Sequence, residues 1–311
     1  MSKKYSFYPL HQCLLYKCKS KKQLSSHLGY DLKTLLSIVN NIENHYKIFS
    51  INKVNSTKTR LVCSPTPQLK SIQTRILKLL NRVEKPHWLI SSTLGKSYIN
   101  NAVLHLGNKY IVKTDIKSFF DNCTRDRVYR FFKDKLKTVP DVAKLLTDLT
   151  TFKQGIPTGS PTSQILAYFA YEDMFKNMHV LSKKYDYTMS LYVDDIVFSN
   201  NRFKDHKAFM RNIEIEALRY NHSLKASKTR SYNTLERGAL ITGVILKNAQ
   251  LKIPNSLRHS TISSFSQLKN NAKISNSQIQ SIKGKIHAAR LIEQSHFNGI
   301  YSFSNSIQAN N

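Results

Sequence analysis

Carboxylates are scarce in this chain: 19 Asp and Glu stand against 48 Lys and Arg in 311 residues, giving a formal charge of +29 and a pI near 10.0. The basic residues run along the whole length instead of forming a tail. That distribution predicts a polyanionic partner tracked over a long surface, bound less tightly as salt rises. Cysteine is rare as well. Cys13, Cys18, Cys63 and Cys123 form no CxxC pair, which excludes zinc clusters of ordinary spacing and leaves reduced, buried thiols as the expectation. No apolar run approaches ~18 residues, and none follows Met1-Ser2-Lys3-Lys4 as a leader would, so a soluble, cytoplasmic protein without membrane contact is expected. Repeats and low-complexity tracts are missing too. What is present, 41 % apolar with 10 % aromatic residues, suffices for a substantial core in one to three domains.

Against this shortage of acid, Asp194 and Asp195 stand side by side between two apolar, β-prone runs, Met189-Ser190-Leu191-Tyr192-Val193 and Ile196-Val197-Phe198. A lone Asp-Asp pair is ordinarily a solvated turn. Here a second apolar strand, Tyr110 to Ile116, also ends in a carboxylate, Asp115, with Phe119 and Phe120 and then a helix from Thr124 to Lys137 after it. Two adjacent carboxylates at a hairpin tip repel each other, and a bound cation relieves that cost. The arrangement resembles the palm of a template-directed polymerase. In such a palm two Mg2+ ions about 4 Å apart, held by carboxylates, activate a primer hydroxyl and hold the leaving pyrophosphate.

The rest of the chain is consistent with that frame. Residues 5 to 46 read as basic helices broken at Gly29, with Asp31 capping the second. Residues 46–51 and 58–63 read as a hairpin lined by Lys53, Lys58 and Arg60, and a helix through Leu69, Ile76 and Val83 follows Pro67. Residues 86–108 read as loop and short helix, including Asn101-Ala102-Val103-Leu104-His105; a lone His beside an Asn is ordinarily a satisfied structural pair. Gln154-Gly155-Ile156-Pro157-Thr158-Gly159-Ser160-Pro161 reads as a loop in which Ser160 caps a helix opened by Pro161 and running to Met178. After the Asp-Asp hairpin a helix over about 203–221, a strand-like piece over 224–229 and a strand pair or tight turn over 239–246 are predicted. Basic helices fill the chain from Pro254 onward.

Asp115-Ile116 with Phe119-Phe120, Gln154-Gly155 with Ser160-Pro161, Tyr192-Val193-Asp194-Asp195, Ser227-Lys228-Thr229 and Thr242-Gly243, in this order and spacing, resemble a reverse transcriptase. Asn101-Ala102-Val103-Leu104-His105 fits the NAxxH signature of the bacterial retron group, and Ile241-Thr242-Gly243 is one methylene from its VTG signature. The resemblance implies an α+β, right-hand polymerase fold. Helical and β-hairpin fingers would occupy 1–107, an antiparallel-sheet palm 108–250 with a fingers-side segment near 138–165, and a small helical thumb 251–311. It implies Asp115, Asp194 and Asp195 as the catalytic triad, the metal ions held by them and by the Ile116 carbonyl. Nucleotide contacts would come from Lys58, Arg60, Phe120 as sugar gate, Gln154 and Lys228. RNA recognition would fall to Asn101, Ala102, His105, Ile241, Thr242 and Gly243, partly by shape.

The implied activity is RNA-directed DNA synthesis that copies part of a cognate structured non-coding RNA, primed from a 2'-hydroxyl of that RNA, into RNA-linked single-stranded DNA (msDNA). By the same resemblance deoxynucleotides would be the substrates, host ribonuclease H would remove RNA because no acidic cluster suggests such a domain here, and an effector encoded nearby would serve anti-phage defence. Other classes share the motifs: diversity-generating, abortive-infection and intron-derived enzymes, or an RNA-binding scaffold on a retired polymerase fold. Two departures stand out, Val193 where the group usually has Ala, and a loop that reaches Pro161 one residue late.

Overall fold

The computed structural model describes residues 6–52, 59–203, 205–270 and 275–306. Helix α1 (Lys21–Leu28) is capped by the Ser20 hydroxyl and ends on Gly29 at φ +75°, and α2 (Leu32–Asn40) starts on Asp31, whose carboxylate accepts from the Thr34 N–H at 2.8 Å. Both caps follow the sequence pattern, but residues 13–20 between a short 3-10 turn and α1 are not helical. Strands β1 (Tyr46–Asn52) and β2 (Thr59–Pro65) pair antiparallel, and α3 (Pro67–Asn81) follows with Pro67 in its first turn. The turn of this hairpin, with Lys53 and Lys58, lies outside the described residues.

Helix α4 (Tyr98–Val103), closed by a capping box between Ser97 and Asn100, leads into β3 (Tyr110–Asp115). Helix α5 (Arg125–Arg130) is shorter than its pattern suggests, because the chain widens into a π-helical turn over 131–135. A helix that the sequence reading did not place, α6 (Pro140–Thr150), buries Val142, Leu145, Leu146 and Leu149. The next helix is split into α7 (Ser163–Ala170) and α8 (Glu172–Lys184) at Tyr171. That break has a cause: the Tyr171 hydroxyl donates to the Asn122 carbonyl at 2.9 Å and accepts from the Thr124 N–H at 3.1 Å, pinning it to the segment after Asp115. Ser160 is not the cap expected. Its hydroxyl donates instead to the buried Gln73 carboxamide at 2.8 Å, and Pro161 lies in the turn before α7.

Strands β4 (Thr188–Tyr192) and β5 (Asp195–Asn200) form the hairpin, followed by α9 (Lys207–Leu218). Residues 226–228 are a 3-10 turn and not a strand; the strand is β6 (Arg230–Asn233). The central sheet is antiparallel in the order β4-β5-β3-β6. A second antiparallel sheet, β7 (Ala239–Ile241), β8 (Val244–Lys247) and β9 (Gln250–Lys252), precedes α10 (Asn255–Asn270), α11 (Asn276–Ile292) and α12 (Asn298–Ser306).

Alternation along the strands gives the central sheet two different faces. Val112, Ile196, Phe198, Met189 and Leu191 point into one large core shared with residues from Cys13 to Ala217. Ile111 and Val197 point to the other face, where Ala102 of α4 and Ala239, Ile241, Val244 and Leu246 of the second sheet cover them. Leu268, Ile282 and Ile286 form a small separate cluster under α10 and α11. All four cysteines are free and buried, and among the described residues no helix is long and apolar enough to cross a membrane.

One joint ties the β1–β2 hairpin to the loop before α7. The Cys63 N–H donates to the Thr158 carbonyl at 2.7 Å, and Gly159 sits at φ +112° where a Cβ would lie 2.9 Å from a Val62 methyl and 3.1 Å from the Cys63 carbonyl. A Gly159→Ala substitution meets both the strained φ and the contact, so it should cost about 1–3 kcal/mol. Thermal melting checks it; an unchanged Tm would show that the joint yields freely.

Candidate active site

The sheet register brings the carboxylates together. Asp115 is the last residue of β3 and pairs with Asp195, the first of β5, while Asp194 occupies the two-residue turn between β4 and β5. The turn is clamped from both sides. The Ile116 N–H donates to the Asp194 carbonyl at 3.0 Å, and the Val193 N–H donates to the Ser91 hydroxyl at 2.9 Å. Val193 lies at φ +61°, a conformation that a β-branched residue rarely adopts, so the turn stores backbone strain beside the acids. A parallel bridge between Leu89 and Leu191 supports the same turn from the β4 edge.

Burial and mutual repulsion dominate the electrostatics. Asp194 is pushed up to about 6 by burial and then by the charges of Asp115 and Asp195. Asp195 is raised too, by burial, with Lys113 opposing. Asp115 is 5 % exposed and receives a hydrogen bond from the Lys228 ammonium. Burial works against the charge on Lys228, yet that hydrogen bond and the three carboxylates hold its pKa above the ordinary lysine value. Asp115, Asp195 and Lys228, but not Asp194, line a cleft of about 350 Å³ together with Lys113, Arg230 and the Thr242-Gly243 turn.

Among the described residues no three His, Cys, Asp or Glu groups form a ready-made metal cage. The donor set nevertheless suits a hard divalent cation: carboxylate oxygens gathered at one sheet end, a raised Asp194 that a nearby positive charge would ionise, and lysines as the local counterions. Ile116 is buried beside Asp194, and its N–H, not its carbonyl, is the group seen engaged there.

Of the two phenylalanines, Phe119 is buried and Phe120 half-buried, their rings 5.8 Å apart. Gly155 packs against the backbone of the same segment, where a Cβ would lie 2.9 Å from the Cys123 carbonyl. Gln154 is exposed. It accepts from the Arg125 N–H through its carbonyl, and it lines two other clefts with Arg125 and Lys144 but not the carboxylate cleft. Arg60 stands exposed on β2 opposite Ile51.

The two short signatures, far apart in the chain, meet. The Asn101 carboxamide reaches the Thr242 hydroxyl at 3.4 Å, Thr242 donates to the Tyr98 carbonyl at 2.9 Å, and Ala102 and Ile241 share one apolar cluster. Contact with RNA through Asn101, Ala102 and His105 does not fit their placement, because all three side chains are fully buried. His105 instead bridges the hairpin: its Nδ1 lies 2.7 Å from the Ser199 hydroxyl and its Nε2 2.7 Å from the Ser190 hydroxyl. Ile241 is buried, whereas Thr242 is half-exposed and Gly243 exposed, with positive φ at both turn residues. Sequence reading missed Lys113 and Arg230 in the cleft. The signal was available, since Lys113 stands two residues before Asp115 and so shares its face of β3.

The chain is similar to the retron Se72 reverse transcriptase of Salmonella heidelberg (strain 579083-10), 26 % identical over 245 residues, which are 77 % of this chain and 65 % of that one. It is 24 % identical over 261 residues to the retron Ec83 reverse transcriptase of Escherichia coli, covering 80 % and 83 % of the two chains. The retron Mx162 reverse transcriptase of Myxococcus xanthus is 29 % identical over 187 residues, 52 % of this chain and 37 % of that one. The chain thus spans just under two thirds of the Salmonella relative. Residues 51–278 match the profile of the family described as reverse transcriptase (RNA-dependent DNA polymerase), and the chain belongs to that family.

Proposed function

We propose that the protein is an RNA-directed DNA polymerase of the retron type. The observation that carries this reading is the register of Asp115 with Asp195 and the clamped Asp194 turn between their strands, beside a lysine already engaged with Asp115. Residues 1–107 with the 138–165 segment serve as fingers, 108–250 as palm and 251–311 as thumb. The separate apolar cluster under α10 and α11 supports treating the last unit as a distinct body. The charge of +29 suits a nucleic-acid partner.

Asp115, Asp194, Asp195 and the Ile116 carbonyl would hold two Mg2+ ions, which would supply Lewis-acid activation at the attacking hydroxyl and the leaving pyrophosphate. The chain's own groups do the rest. Asp115 orients Lys228, whose ammonium stays charged and contacts phosphate. Arg60, Lys58 and Gln154 grip the deoxynucleotide from the fingers side, and Phe120 lies under its sugar. The signature segments act on RNA indirectly where they are buried, and directly through the exposed Thr242-Gly243 turn. The template and primer are a cognate structured RNA, primed at a 2'-hydroxyl, and the product is msDNA. A host ribonuclease H and an effector encoded nearby complete an anti-phage system.

Sequencing the nucleic acid that co-purifies tests this reading. A short DNA joined to RNA by a 2'-5' branch is the expected result; untemplated or heterogeneous DNA would assign the chain to another reverse transcriptase class, and tight RNA binding without incorporation would make it a scaffold. The sugar gate has its own test. Phe120→Ala removes the ring that excludes a 2'-hydroxyl, and a steric exclusion of this size is worth about 10–100-fold in the ratio of kcat/KM for deoxy- over ribonucleotide. An unchanged ratio would remove Phe120 from that role.

A further inference from the structure

At the end of the central sheet remote from the acids, a cleft of about 710 Å³ opens between the start of β3, the end of β6 and the loop before α9. Four aromatic rings line it, those of Tyr110, Tyr187, Phe203 and Tyr232. Phe203 is 80 % exposed and meets the Tyr110 ring edge-on, the centroids 5.6 Å apart. A single exposed ring is ordinary on a protein surface. This one stands at the mouth of an aromatic cleft whose size is that of a ligand pocket. Two carboxylates share the lining: Asp205 accepts from the Lys207 N–H at 3.0 Å and Glu236 from the Asn233 carboxamide at 2.7 Å. Among the described residues neither forms a salt bridge, so each keeps acceptor capacity. Cations stand around them. Lys207 lines the cleft, Arg211 follows one turn later on α9, Arg202 precedes Phe203, and the Lys109 N–H donates to the Asn201 side chain at 3.1 Å. All four are exposed and, among the described residues, none has a carboxylate partner; Lys207 and Arg211, four apart on one helix, repel each other.

We infer that this cleft holds an unpaired base of a bound RNA, one that presents an exocyclic amine, with the flanking phosphates on the surrounding cations. The inference rests on the RNA-binding part of the proposed function and adds an exposed contact to it, since Asn101, Ala102 and His105 are buried. Proteins hold unpaired RNA bases by stacking them on aromatic rings and by hydrogen bonds to their Watson–Crick edge. Phe203 supplies an open ring face, and Asp205 and Glu236 supply acceptors for an amine. A base carbonyl at the same place would face their charge. The reacting nucleotide is not the occupant. Asp115 closes the other end of β3, five residues and about 17 Å from Tyr110, and none of the residues assigned to the nucleotide or the metal ions lines this cleft. A basic protein segment is disfavoured too, because it would meet four cations around the two carboxylates.

The test titrates the full chain with fluorescein-labelled oligo(C), oligo(U) and a blunt RNA duplex. Phe203→Ala should weaken oligo(C) binding about tenfold and leave duplex binding and its salt dependence unchanged, and Phe203→Trp should keep the native affinity. Phe203 is exposed, so an unchanged Tm shows that loss of fold does not mimic the effect. Cytosine and uracil differ in shape by little more than an amine against a carbonyl. The native protein should therefore prefer oligo(C) about tenfold, and Glu236→Gln, which removes a charged acceptor, should reduce that preference. No synthesis is needed for these titrations, so an unsubstituted protein that binds RNA but makes no DNA counts against the polymerase reading and not against the base slot. Equal losses on single strand and duplex, or no loss on either, would overturn the slot, the second result leaving the exposed ring to a protein partner. Equal affinity for oligo(C) and oligo(U) would overturn the assignment of an amine-bearing base.

Discussion

Replacing Asp194 and Asp195 together by Asn should lower nucleotide incorporation by orders of magnitude while raising thermal stability. The loss follows from removing charged oxygens that hold the cations and the reacting groups, an effect worth several kcal/mol in the transition state. The gain follows from the strain of the site. Burial and the neighbouring acids push Asp194 up to about 6, so at neutral pH and without a divalent cation its ionised form opposes folding. Allowing for partial solvent screening, relief at this one position is on the order of 2 kcal/mol. The sign can be followed with pH. Between the ordinary carboxylate value and about 6 the folded protein binds the proton that the unfolded chain has released, so the destabilisation is full above about 6 and fades as pH falls toward 4. The difference in Tm between the substituted and native proteins should shrink along the same course. Added Mg2+ should also narrow it, by stabilising only the protein that retains the carboxylates. Full incorporation by the doubly substituted protein would end the polymerase reading, and a lower Tm would show that the acids stabilise each other through contacts other than charge.

The parts legible in the sequence were those governed by strand alternation and capping. Asp115 and the Asp194-Asp195 turn were placed because apolar strands ending in acid are uncommon in a chain so poor in carboxylates, and the Gly29 and Asp31 caps because their local chemistry has few alternatives. Where tertiary partners decide, the reading stopped. Ser160 looks like a helix cap, but the buried carboxamide of Gln73 claims its hydroxyl. Tyr171 sits inside a continuous helical pattern, and only its hydrogen bonds to residues 122 and 124 explain the break. Helix α6 carried a clear 3-4 spacing of Val142, Leu145, Leu146 and Leu149 that the polar connection around it obscured. The signature segments show the limit most clearly. Asn101 and Thr242 are 141 positions apart, and no local property of either announces that they meet.

His105→Ala should lower Tm by about 5–10 °C, corresponding to roughly 3 kcal/mol, with little direct effect on RNA affinity in the protein that remains folded. The imidazole is fully buried between the Ser190 and Ser199 hydroxyls and so cross-links β4 to β5 at the end of the hairpin opposite the carboxylates. Truncation leaves a cavity and two buried hydroxyls to find new partners; the Asn108 carboxamide, which already donates to Ser199 at 2.7 Å, satisfies one of them in part. Acid sharpens the test. Burial lowers the His105 pKa to about 3, so below the ordinary imidazole value the unfolded chain takes up a proton that the folded protein refuses. Stability is therefore lost steadily as pH falls from 6.5 toward 3, by about 2 kcal/mol at pH 5 from this residue alone. His222, lowered to about 4 by burial and then by Arg127, adds a loss of the same sign. His105→Gln should flatten the acid limb of the stability curve relative to the native protein, whatever its Tm at neutral pH. The opposite pattern, an unchanged Tm and acid limb with RNA binding lost, would return His105 to direct contact with RNA.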